Sequence, residues 1–112
     1  MKTSTINLSI ELDDNNIPEK IHWNATDADP GTHEANALLL ALWDHKVKTG
    51  LSIDLWTKDM TIQEMNLFFY QTLQQLSETF FRATQNQELR DDIQKFAKEF
   101  IEKVKRMEKL NL

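Results

Sequence analysis

The sequence predicts an α+β fold, an antiparallel sheet of three to four strands packed by two C-terminal helices, and three observations carry that prediction. Apolar and polar residues alternate over residues 6–12, a helix-capping box stands at Thr61, and two apolar stripes of helical spacing follow it toward the C-terminus. Strands gathered at one end of a chain and helices at the other mark the α+β class rather than a run of βαβ units.

Taking the elements in order, Ile6, Leu8, Ile10 and Leu12 alternate with Asn7, Ser9 and Glu11, the period of a strand with one face buried. "DDNN", residues 13–16, supplies short polar side chains that hydrogen-bond nearby backbone and turn the chain. Ile17, Ile21 and Trp23 return in matching phase, so the expected pairs are Leu12 with Ile17, Leu8 with Ile21 and Ile6 with Trp23. Pro18 has no amide to donate and puts the start of this second strand at an edge or an irregularity. "TDADPGTHE", residues 26–34, reads as a loop.

Two readings compete for the stretch that follows. Ala35, Leu38, Leu39, Leu42 and Trp43 fall at helical spacing, with Gly50 where a cap would stand. The other reading, which we prefer, makes residues 38–44 and 51–57 a hairpin joined by "HKVKTG", after a short helical turn at residues 32–37. Pairing Leu42 with Ile53 and Leu40 with Leu55 then collects Leu40, Leu42, Leu51, Ile53 and Leu55 on one face. Leu39, Ala41, Trp43, Ser52, Asp54 and Trp56 take the other.

In "TIQE", residues 61–64, the Thr61 hydroxyl and the Glu64 carboxylate can each satisfy a free amide at a helix start. Ile62, Met65, Phe69, Leu73, Leu76 and Phe80 trace the stripe of this helix, which should end near Ala83. "TQNQ" breaks the pattern. Leu89, Ile93, Phe96, Phe100, Val104 and Met107 then trace a second helix, whose last turns are basic.

With 112 residues the chain is of single-domain length, and one domain over residues 1–112 is expected. A formal net charge of −5 works against binding phosphate backbones or anionic lipid, so no nucleic-acid partner is expected. The absence of cysteine excludes disulfides, thiolate metal sites and cysteine nucleophiles. The N-terminus alternates where a signal peptide would run continuously apolar, and no segment has the apolar length of a membrane span. A soluble, cytoplasmic protein without membrane insertion is the expectation.

Chemistry is sparse. His22, His33 and His45 show no metal-ligand spacing, and although Asp27 and Asp29 resemble the first ligands of a calcium loop, Pro30 and Gly31 stand where that motif continues. Asp54 and Asp59 could form an acid–base pair only in environments that drive their pKa values apart; a solvated strand face and a helix start explain them more simply. No phosphate-binding loop, nucleophile elbow or dinucleotide fingerprint is present. We therefore expect no enzyme, no cofactor and no metal. The alternative is a small-ligand or metal-dependent activity using His22, Asp27, Asp29 and Asp44. Trp43 and Trp56, with Asp54 on the same face, form the candidate partner-binding set, a patch that a homodimer or another protein would cover. Their competing reading is a sheet buried on both faces.

"LDDNNIPEKIHW" at residues 12–23, "IDLWTKDM" at residues 53–60 and "EMNLFFYQTL" at residues 64–73 together give the chain its family resemblance. In them it resembles the GldC family of gliding motility proteins of the Bacteroidetes, and "LWTKDM" is the most specific piece. The resemblance implies a small accessory protein that supports surface gliding, an adaptor or chaperone-like partner of the cell-envelope motility or secretion machinery. It implies no reaction, substrate or cofactor and brings no catalytic residues with it.

Overall fold

Alternation over residues 6–12 becomes β1 (Ile6–Leu12), which pairs antiparallel with β2 (Pro18–Ala25) in a computed structural model that describes residues 1–110. The turn between them is held by Asp13. Its carboxylate accepts from the amides of Asn15 at 2.8 Å and Ile17 at 3.0 Å, while Asn16 takes the left-handed conformation that asparagine tolerates. Capturing the Ile17 amide keeps that residue in the turn, so the first pair is Leu12 with Pro18 rather than with Ile17, and a bulge forms at Glu11/Leu12. Beyond the bulge Ile10 faces Ile21 and Leu8 faces Trp23. The register differs by two from the expected one, and a shift of two leaves every side chain on its expected face.

β3 (His33–Ala35) adds to the free edge of β2, giving a three-stranded sheet of order β1-β2-β3. This short strand replaces the expected helical turn at residues 32–37. Its ladder to β2 gives the backbone partners that an isolated turn would lack. Ile21, on the central strand between Ile10 and Ala35, is fully buried.

One residue later β4 (Ala37–Trp43) begins, and it pairs antiparallel with β5 (Gly50–Trp56) in a separate two-stranded sheet. The hairpin reading holds over the helical one. Here too the register moves by two: Leu42 faces Leu51 and Leu40 faces Ile53. The cause is Asp44, whose carboxylate accepts from the amides of Lys46 at 3.0 Å and Val47 at 2.7 Å, closing the turn one residue earlier than "HKVKTG" suggests.

The chain divides into two compact units, Met1–Met60 and Thr61–Leu112, and the second is a helical hairpin. Thr61 caps α1 (Ile62–Thr84) as predicted. Its hydroxyl accepts from the Glu64 amide at 3.0 Å and the Glu64 carboxylate accepts from the Thr61 amide at 3.2 Å. Gln85 closes the helix in the left-handed conformation, its amide donating to the Phe81 carbonyl, and the Asn86 side chain accepts from the Leu89 amide at the start of α2 (Gln87–Leu110).

Connected by two residues, the helices run antiparallel. Gln94 donates to Glu78 at 2.7 Å, and the Arg90 guanidinium lies 4.3 Å from the centre of the Phe81 ring. Small residues set the seam: Ser77, its hydroxyl donating to the Gln74 carbonyl, and Ala97 are both buried. The apolar stripes are broader than this seam. Leu73, Phe80, Ile93, Phe100 and Val104 are half-buried, whereas Ile62, Phe69, Leu76, Leu89, Phe96 and Met107 are exposed, so the stripes are not the closed core their periodicity predicts.

Candidate functional site

Alternation along β4 and β5 sends Leu39, Ala41 and Trp43 to the same face as Ser52, Asp54 and Trp56, the set expected from the sequence, and adds Ala37 to it. Within it Trp56 stands opposite Ala37 and Asp54 opposite Leu39, so Asp54 and Trp56 are neighbours. Trp43 stands opposite Gly50 at the other end. The length of the seven-residue strand, about 20 Å, separates the two tryptophans, so they stand at opposite ends of the face they share. Both are open to solvent, Trp43 at 70% and Trp56 at 58%, so neither is packed into the interior. Leu39, between them, is also exposed. An exposed apolar face with one carboxylate can bury area against a partner and orient it with a charge-assisted hydrogen bond.

The second face of the hairpin is apolar as well. Leu42, Leu51 and Ile53 are each more than half exposed there, where the sequence predicts buried positions. Trp43 and Trp56 are therefore the aromatic part of a hairpin that shows hydrophobic residues on both sides.

Residues considered for metal or ligand chemistry are dispersed. Asp44 is occupied by the turn amides, Asp27 accepts from the Ser4 hydroxyl at 2.8 Å, and His33 lies 3.1 Å from the Asp29 carbonyl. The His33 ring stands against Trp23, 4.7 Å between centroids. His22 faces Ser9 on one side and Glu34 on the other. Among the described residues no three His, Cys, Asp or Glu side chains converge on a point that could hold a metal ion.

One interaction lay outside the sequence reading. Lys58, just past β5, reaches the Asp13 carboxylate at 2.6 Å and thereby ties the β5 exit to the β1–β2 turn. The Lys58 ammonium first, then the Ile17 and Asn15 amides, hold Asp13 down to a pKa of about 2, and Asp13 in turn raises Lys58 above its ordinary value. Asp13 is shielded, its side chain only 14% exposed. The two ends of this pair belong to "LDDNN", read from the sequence as a turn, and "LWTKDM", and no local pattern links them. Thr57, beside Lys58, is buried with an unpartnered hydroxyl, while its amide donates to the Asn36 carbonyl.

In the helical unit an open groove runs between Ile62 and Asn66 on α1 and Phe96, Phe100 and Val104 on α2. Its lining mixes these apolar side chains with polar and charged ones, Gln63, Glu99 and Lys103 among them. No described helix is long and apolar enough to cross a membrane.

Comparison with protein families finds a match over residues 18–106 to the family described as "Gliding motility-associated protein GldC-like". It spans both units and includes Trp43, Asp54, Trp56 and Lys58, while Asp13 lies before it. No curated protein and no solved structure matches the chain.

Proposed function

The chain belongs to the GldC-like family of gliding motility-associated proteins, and from that premise we propose that it is a non-enzymatic accessory protein acting by binding another protein. Its partner in this reading is a component of the motility or secretion machinery of the cell envelope, met from the cytoplasmic side. The observation that carries the reading is the β4–β5 face, where two tryptophans, 70% and 58% exposed, share a surface with a single carboxylate. Exposed tryptophans lose little conformational entropy on docking and contribute large apolar area, and they are enriched among residues that dominate binding energy.

Affinity capture from native lysate tests it, with tagged wild-type protein, Trp56→Ala and Trp43→Ala compared by mass spectrometry. The expected result is a motility or secretion component enriched by wild type and lost with Trp56→Ala. Equal enrichment by all three proteins, or no such component with any of them, refutes the reading.

A further inference from the structure

β5 is an outer strand. It pairs with β4 alone, and among the described residues its other edge has no ladder partner. A hydrogen-bonding edge left open is a template for another strand, and proteins commonly guard such edges with several charges, a proline or a bulge. β5 has one ionisable residue, Asp54, no proline and no irregularity in its pairing.

Its sequence, GLSIDLW, is also self-complementary. Turned antiparallel upon itself about Ile53, it sets Leu51 against Leu55, Ser52 against Asp54 and Gly50 against Trp56, each pair occurring twice. A leucine meets a leucine and a hydroxyl donor meets the carboxylate. The indole covers the glycine, an arrangement that makes good the glycine's missing side chain. Asp54 thus avoids its own copy, and no like charges oppose one another on the strand. A two-stranded hairpin is marginal by itself, whereas four strands with apolar faces are not.

We propose that a second copy of this chain pairs with β5 across its open edge, antiparallel and centred on Ile53, to form a two-fold, four-stranded sheet of order β4-β5-β5-β4. Such an interface is isologous, the commonest form for soluble oligomers. It goes beyond the accessory role and fails separately from it, since mass in solution reports dimerisation with no motility partner present.

The experiment uses the full chain, which has no cysteine of its own. Ile53→Cys places two thiols opposite each other on the axis, at a spacing a disulfide accepts, and is expected to cross-link under mild oxidation. Leu51→Cys faces Leu55 of the second copy and should cross-link only when mixed with Leu55→Cys. Sedimentation of exposed Ser52 variants supplies the independent arm. Ser52→Asp opposes Asp54 twice per dimer and should weaken dimerisation roughly tenfold, whereas Ser52→Lys should preserve or tighten it. A monomeric wild type across the micromolar range overturns the proposal. So does cross-linking by Leu40→Cys on β4 in place of Ile53→Cys, or equal weakening by both Ser52 variants.

Discussion

Asp13 is a carboxylate held ionised by the Lys58 ammonium and by the amides of Ile17 and Asn15. Its folded pKa of about 2 lies below the ordinary 3.8, so its contribution to stability is complete above the ordinary value and is lost as pH falls through about 2. For Lys58, raised above 10.5, the sign is opposite: the contribution is complete below 10.5 and lost as pH rises past the folded value. Asp13→Asn should therefore melt below wild type at neutral pH, and the gap should close on acidification toward pH 2. A gap that stays constant across that range would show that the side-chain hydrogen bonds, not the charge, hold the turn. The chemistry of this residue was half legible. "DDNN" announces a turn, but only the folded chain brings Lys58 within 2.6 Å of it.

At the scale of elements, the caps and the seam are the places where one substitution tells most. Thr61→Ala removes the acceptor for the Glu64 amide and should cost about 1 kcal/mol, read as a lower denaturation midpoint at unchanged slope. Ala97 is buried in the helical hairpin, so Ala97→Leu should cost about 1–3 kcal/mol by overpacking. Phe96→Ala, at a position 56% exposed, should cost less than the loss expected of a fully buried phenylalanine. A larger effect from Phe96→Ala than from Ala97→Leu would show that the seam lies elsewhere. Turn chemistry explains both register differences. In each hairpin an aspartate, Asp13 or Asp44, captures amides and decides where the ladder begins, and alternation is blind to that choice because a two-residue shift keeps every face.

Across the whole molecule, large apolar side chains remain in solvent on the strands, such as Leu42, Leu51 and Ile53, and on the helices, such as Ile62 and Phe96. Exposed positions are where binding and stability can be separated by mutation. Trp56→Ala should leave the melting temperature close to that of wild type, within about 0.5 kcal/mol of stability, while reducing partner capture. Loss of folding together with loss of capture would return Trp56 to a structural role. The net charge of −5 opposes indiscriminate association, so contact is expected where apolar faces carry few charges, as on β4 and β5.

By itself the sequence determined the α+β class, the phase of β1, β2, β4 and β5, the Thr61 cap and the break between the helices, because each depends on local periodicity or on side chains within four residues. Its resemblance at "LWTKDM" pointed to the family that the match over residues 18–106 established. Tertiary structure decided the division into two sheets, the strand at His33–Ala35, the Asp13–Lys58 pair and the distance between Trp43 and Trp56. Those depend on ladder partners and turn lengths, which join residues far apart in the chain, and no periodicity within one segment contains them.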